Sequence, residues 1–537
     1  MSKGSACTNC RKRKIRCDGA RPQCRACRTS SEQFQDCEYT DLGVTHSQRL
    51  EEQIAILEAK VHELEAHPHL PSSPSPARQP ESCPINRSLS AAEAPLSSEL
   101  HQTLIHRFIQ SSADLAFFLN TERFLHSFTT SARPSQALLN TIYLWGIHLS
   151  HEPQVRQHEP QFLAKALQSI SHCLAGATSL RVLHTIQASV LIAQYFFRNS
   201  RILEGKYHMT AAHSLSIGAR LHTIRSSASP PPPPTITSPT RGFPPPVDPI
   251  EEGEHIRAFW TVIILNTCWQ SLDGESLSNM VYTKEPGLRI DTPWPEDMDT
   301  YVTHGIPYDL VGDHTVEGFL RGMNPNSNPP GGQSWISLHA KASILFERAT
   351  QIGAAHAHWK TKCIPTVTHP LDQDPDFLTI DIAIQTLSHV LSSVKSPPTK
   401  QHHHILVPLL INAASIRLHQ TFIQCESKST DQNQHVQSQR HHHHRVRVVD
   451  SARNIVRLIA HYAQSRCIGG GGGAIDPIVA PLSMIAFHTL QVAGPGSASG
   501  GEYNTELETL IDAMGRLSSV CPVMTRNVQA AQVRAGG

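Results

Sequence analysis

The chain has 537 residues, with 46 Lys and Arg against 45 Asp and Glu for a net charge of +1, and 39% of its residues are hydrophobic. With so even a balance, affinity for a polyanion has to come from local crowding of charge. No run of 18 or more apolar residues exists, which argues against a membrane span, and the polar start from Met1 to Ala6, with basic residues following at once, argues against a secretory signal.

The first element is a cysteine frame. Cys7, Cys10, Cys17, Cys24, Cys27 and Cys37 form the pattern C-x2-C-x6-C-x6-C-x2-C-x9-C. Thiols without a secretory signal are expected in a reducing compartment, where dense cysteine means metal ligation more often than disulfides. Zinc takes four tetrahedral thiolates, and a C-x2-C pair offers two from one turn. Two separate ions would need eight sulfurs, so six serve two ions only if two thiolates bridge. Cys7 and Cys24, which lead the two pairs, are the natural bridges. A single ion on Cys7, Cys10, Cys24 and Cys27, with Cys17 and Cys37 left over, is the competing arrangement.

Charge is crowded onto the same residues. Within residues 1–30 there are nine basic side chains, Lys3, Arg11, Lys12, Arg13, Lys14, Arg16, Arg21, Arg25 and Arg28, and one acid, Asp18. Lys and Arg crowded on a small scaffold neutralise phosphates and release counterions, the dominant nonspecific term in duplex binding. A solvated face or a nuclear import signal is the plainer reading of the run alone.

The six spacings, the basic run between Cys10 and Cys17, and Pro22 two residues before the fourth cysteine resemble the fungal binuclear zinc cluster (Zn₂Cys₆) transcription factors. The resemblance implies two structural zinc ions, one on Cys7, Cys10, Cys17 and Cys24 and the other on Cys7, Cys24, Cys27 and Cys37. It implies a short helix after each C-x2-C pair and a turn at Pro22. It also implies that Lys14, four residues after the second cysteine, reads a CGG-like triplet from the first helix in the major groove. Arg13 falls at a second position that approaches bases, and Arg11, Lys12 and Arg16 are assigned to phosphates.

Next along the chain, Leu50, Ile54, Leu57, Val61 and Leu64 recur at alternating steps of four and three. With leucine at d and β-branched residues at a, this register favours a parallel two-stranded coil, and Lys60 at g faces Glu65 at the following e. Thr45 begins a capping box and Pro68 stops the helix. The seam is only about 22 Å long at 1.5 Å per residue. A homodimer is expected, because the Pro-rich sequence that follows provides no core for this helix to join.

From Pro68 to about Pro95 the composition turns to Pro, Ser and Ala, which cannot bury a core and reads as a linker. Beyond it, 104–118, 137–149, 162–174, 183–197 and 207–221 carry apolar residues at helical spacing, and few segments alternate as strands do. A second resemblance lies here. Glu204-Gly205-Lys206-Tyr207-His208 through Ala211 to His222, then Asp248 to Glu254 with Arg257-Ala258-Phe259-Trp260, and Thr292-Pro293-Trp294-Pro295, resemble the middle regulatory domain of the fungal factors over about residues 100–300. Leu265-Asn266-Thr267 departs from the family's Leu-Asp-Arg, so the ion pair of that motif is not expected.

Arg225 to Val247 contains Pro230 to Pro234 and Pro244 to Pro246 and reads as an extended solvent loop, with an SH3- or WW-type ligand as the sharper alternative. His402 to His404, His441 to His444 and Gly469 to Gly473 are low-complexity tracts, and the histidine runs are expected to be flexible polar loops, with metal binding as the sharper alternative. Seven further cysteines (Cys83, Cys173, Cys268, Cys363, Cys425, Cys467 and Cys521) are too scattered for a second metal site. His-Glu-x-x-His, Gly-x-Ser-x-Gly and P-loop motifs are absent, so no enzyme is expected.

The expected fold class is mainly α: a small N-terminal binuclear zinc cluster (1–42), a short coiled coil (43–67), a disordered linker (68–100), and a large all-α regulatory domain (101–530) with a Pro-rich insert at 225–247. The expected function is a nuclear transcription factor that binds double-stranded DNA at RNA polymerase II promoters, with coregulator proteins as further partners and no membrane. The competing reading is a zinc-stabilised nuclear scaffold whose basic run serves import and whose helical domain holds protein partners.

Overall fold

The computed structural model describes residues 6–7, 10, 13–20, 24–28 and 55 of the N-terminal region. It describes 97–535 apart from 131–132, 174–178, 228–245, 273–288, 322–331, 362–373, 394–400, 424–433, 469–473 and 494–499. The chain divides into two units, Met1–Glu93 and Ala94–Gly537. The seam residues Leu50, Ile54, Leu57, Val61 and Leu64 lie outside the described residues, as do Cys37, Arg11, Lys12, Pro22 and the polyproline run.

The larger unit is helical, with no strand among its described residues. Its long helices are α1 (Ser98–Ser111), α2 (Gln136–His148), α3 (Glu159–His172), α4 (Ser179–Arg198), α5 (Ile202–Gly218) and α6 (Pro249–Ser271) in the first half. The second half has α7 (Trp335–Thr361), α8 (Pro375–Ser393), α9 (Gln401–Ile423), α10 (Gln434–Ile468), α11 (Val479–Ala493), α12 (Gly500–Ser518) and α13 (Pro522–Ala535).

Local chemistry sets the starts. Ser97 Oγ accepts the Leu100 N–H at 3.2 Å to cap α1, and Ser135 Oγ accepts from Leu138 at 3.3 Å to cap α2. Asp248 Oδ1 accepts from Glu251 at 2.8 Å ahead of Pro249 at the first turn of α6. Each side-chain oxygen satisfies an amide that the helix itself leaves unpaired, and proline there forfeits no hydrogen bond. The expected helix over 104–118 ends earlier: α1 stops at Ser111, a 3-10 turn follows over Ser112–Leu115, and Ala116 turns left-handed at φ 58°.

Two helices are buried on nearly every side and so lie at the centre. Every residue from Leu183 to Arg198 in α4 is buried, and in α6 residues 253–271 are buried except Arg257, Asn266 and Gln270. Neighbours in sequence pack on one another from α1 against α2 through α4, α5, α6 and α7, and α9 lies between α7 and α10. Close approach needs small residues at the contacts. A Cβ on Gly146 of α2 would sit 2.5 Å from the Leu104 carbonyl oxygen of α1, so only glycine lets these two backbones meet.

Arg198, at the end of α4, joins the two halves. Its guanidinium donates to His148 Nε2 at 3.1 Å, to the Ile475 carbonyl at 3.3 Å and to the Val520 carbonyl. Because His148 accepts at Nε2, its proton sits on Nδ1 and goes to Glu159 at 2.7 Å, where the Tyr195 hydroxyl also donates at 2.8 Å. Burial alone would raise the Glu159 pKa; the bonds from His148 and Tyr195 outweigh it and hold the carboxyl below its ordinary value.

The histidine tracts depart from expectation. They are helical, inside α9 and α10, rather than loops. His404 stacks on Trp335 with ring centroids 4.0 Å apart, and His444 stacks on Phe422 at 4.1 Å. His444 Nδ1 lies 2.8 Å from His419 Nδ1, and His419 Nε2 lies 3.1 Å from Asp381. His404 and His444 are thereby set against neighbouring rings, where an imidazole face packs like an aromatic ring. Where the family ion pair is missing, Thr267 is buried and Asn266 Oδ1 is buried with no hydrogen-bond partner among the described residues. Of the scattered cysteines, Cys268 and Cys521 are buried.

Candidate metal centre and nucleic-acid face

In the N-terminal unit the only buried side chains described are cysteines: Cys7, Cys10, Cys24 and Cys27, with Cys17 half-buried beside them. Cys7 Sγ lies 3.8 Å from both Cys24 Sγ and Cys27 Sγ, and Cys10 Sγ lies 3.5 Å from Cys24 Sγ and 3.9 Å from Cys27 Sγ. The sulfurs of Cys7, Cys10, Cys17 and Cys24 all fall within 4.8 Å of one another. A disulfide would bring sulfurs to about 2.05 Å. Thiolates about 2.3 Å from a zinc at tetrahedral angles lie about 3.8 Å apart, so the observed separations are those of a zinc-thiolate shell.

The donors around these sulfurs favour thiolate. Within each C-x2-C pair an amide points at the leading sulfur: Cys10 N–H to Cys7 Sγ at 3.4 Å, and Cys27 N–H to Cys24 Sγ at 3.4 Å. Burial pushes the Cys24 thiol up, but the Cys27 amide and the neighbouring sulfurs outweigh it and bring it down to about 6. The Cys10 thiol is pushed far up, by burial first and by the neighbouring sulfurs in the same direction. A bound cation reverses that cost by ionising its ligand thiols outright.

Two short elements carry the sulfurs. Cys10 is helical, and the Ile15 N–H returns to the Cys10 carbonyl at 3.1 Å while Lys14 sits left-handed at φ 53°. This six-to-one closure ends a helix with its left-handed residue at the position where the chain leaves it. Arg13, Lys14 and Arg16 are exposed around that end. Cys27 lies on the second helix, Arg25–Arg28, and Cys24 immediately precedes it.

Sequence reasoning gave Asp18 no role beyond being the lone acid. Its carboxylate accepts the Arg25 N–H through both oxygens, at 3.1 and 3.3 Å, and the Ala20 N–H at 3.5 Å. Gly19 between them is left-handed at φ 71°. The Asp-Gly pair after Cys17 is the signal that marks such a side-chain turn.

Residues 5–42 match the family described as the Fungal Zn(2)-Cys(6) binuclear cluster domain, and residues 105–276 match the Fungal specific transcription factor domain. No curated protein and no solved structure matches the chain. Both matched domains are transcription-factor domains rather than enzymes, and the first binds two zinc ions. No helix among the described residues is long and apolar enough to cross a membrane. Together the two matches, one over the clustered sulfurs and one over the first part of the helical unit, are those of a fungal zinc cluster transcription factor.

Proposed function

We propose that this transcription factor reads DNA sequence directly through its zinc cluster, recognising CGG-like triplets from the exposed end of its first helix. The observation that carries the reading is the coincidence of the sulfur cluster with Arg13, Lys14 and Arg16 exposed just after Cys10. Cys7, Cys10, Cys17 and Cys24 hold one zinc, and Cys7, Cys24, Cys27 and Cys37 hold the other, with Cys7 and Cys24 bridging. Zinc supplies no reaction here; it fixes the fold of a segment with too little apolar surface to fold by itself.

In this reading Lys14 reads base edges, Arg13 assists, and Arg11, Lys12 and Arg16 neutralise phosphates. Leu50, Ile54, Leu57, Val61 and Leu64 pair two chains in a parallel coil, so that two triplets are bound with a spacing set by the linker after Cys37. The protein acts in the nucleus at RNA polymerase II promoters, and the helical domain receives coregulators.

The test is a gel-shift titration of the full-length chain on a CGG-containing duplex and a scrambled one, with wild type and Lys14→Ala. Wild type is expected to prefer the CGG duplex; Lys14→Ala is expected to bind both equally, weakly, and with strong salt dependence. Unchanged discrimination by Lys14→Ala rejects the assignment. Sedimentation on a two-triplet duplex checks the dimer, and a one-chain complex there rejects it.

A further inference from the structure

Between Cys17 and Cys24 the chain passes from the first half of the cluster to the second, and two features fix that passage without metal. The left-handed Gly19 reverses the chain immediately after Asp18. The Asp18 carboxylate then reaches seven residues ahead to the Arg25 N–H, the first amide of the helix that carries Cys27. The Cys27 and Arg28 amides of this four-residue helix return to the Cys24 carbonyl at 3.1 and 3.0 Å, whereas the Arg25 amide stands ahead of any helical acceptor and takes the Asp18 carboxylate.

We propose that Asp18 is a positioning residue for the metal centre, clamping the start of the second helix onto the end of the first half so that Cys24 and Cys27 stand opposite Cys7 and Cys10. This deepens the reading of the cluster as a DNA reader and rests on it for one consequence only: the clamp also fixes where Arg25 and Arg28 stand relative to Lys14. Asp18 contributes no ligand. It acts through the backbone, and a short side-chain oxygen three bonds from Cα is what the geometry uses. Asparagine keeps that oxygen at the same reach and loses the charge; glutamate keeps the charge and moves the oxygens one carbon further out.

The experiment measures zinc retention by the full-length chain against a graded chelator, for wild type, Asp18→Ala, Asp18→Asn and Asp18→Glu, beside the same gel-shift pair. Loss of a helix cap is worth about 1 kcal/mol, or roughly fivefold, so Asp18→Ala is expected to release zinc at several-fold lower chelator than wild type. Asp18→Asn is expected to restore retention to near wild type, and Asp18→Glu to behave like alanine. Because both Asn and Glu are conservative in size or charge, rescue by the first alone identifies the reach of the oxygen as the operative property. Wild-type retention by Asp18→Ala, or equal rescue by Asn and Glu, overturns the proposal. If wild type itself fails to discriminate the CGG duplex, the DNA reading fails while the zinc comparison still decides the role of Asp18.

Discussion

The two units of this chain solve the same problem by opposite means. In the N-terminal unit every buried side chain described is a cysteine, whereas the helical unit buries Trp145, Trp260, Trp269 and twelve phenylalanines among its described residues. A segment of some forty residues cannot remove enough apolar surface from water to offset its chain entropy, and needs covalent or metal staples. The helical unit has the length to do without them. Stability in one region therefore depends on ligand chemistry, and in the other on close packing.

The sharpest way to break that contrast is to remove zinc. Structural zinc contributes on the order of 10 kcal/mol to small domains, so a chelator is expected to abolish DNA binding while leaving the thermal transition of the helical unit in place. Following both in the same sample by gel shift and far-ultraviolet circular dichroism checks this. A helical transition that collapses with the metal would show that the units are not independent.

The reverse perturbation is Trp145→Ala. The indole is buried and donates Nε1–H to the Leu191 carbonyl at 3.0 Å, tying α2 to α4. Its removal leaves a cavity and forfeits that tie to the Leu191 carbonyl, and is expected to cost about 3–5 kcal/mol of helical stability. Chelator resistance of the cluster should stay at the wild-type level, as a zinc titration of the same variant reads directly.

Acidity offers a gentler probe of the packed core. Burial raises Glu347 from its ordinary 4.5 to about 8, and its Oε2 is buried with no hydrogen-bond partner among the described residues. Between those values the folded state holds a proton that the unfolded state has released, so stability falls as pH rises from about 4.5 towards 8. Glu347→Gln is expected to flatten this part of the melting-temperature profile of the helical unit. Parallel profiles for the two proteins would remove Glu347 as the cause.

The smallest effect is expected at the surface. Arg201, just ahead of α5, pairs with Glu204 in its first turn, each more than two-fifths exposed. Solvent screens such pairs, and Glu204→Gln is expected to change helical stability by less than about 0.5 kcal/mol in a denaturant titration. A larger loss would mean that the stacking of Arg201 on Phe196, 4.4 Å from its ring, depends on that carboxylate.

The difference between the units also explains what was readable. The cysteine frame was legible because ligand spacing is local: two sulfurs one turn apart and an ion with four places leave few arrangements. The all-α class was legible because apolar residues recur at helical spacing over long stretches such as 183–197. The histidine tracts were misread because a run of one residue type has no period, so nothing in it marks which imidazole will face inward. His404 and His444 acquire that role only from Trp335 and Phe422, which are far away in sequence.

By itself, then, the sequence determined the family, the helical class and the thiols that can gather around metal, because each rests on short-range spacing. The tertiary structure alone decided that Asp18 clamps Arg25, that Lys14 ends its helix left-handed, and that Arg198 joins residues more than 300 positions apart. These depend on where backbone carbonyls and amides arrive once the chain has folded, and that placement follows from packing, which no local pattern of side chains encodes.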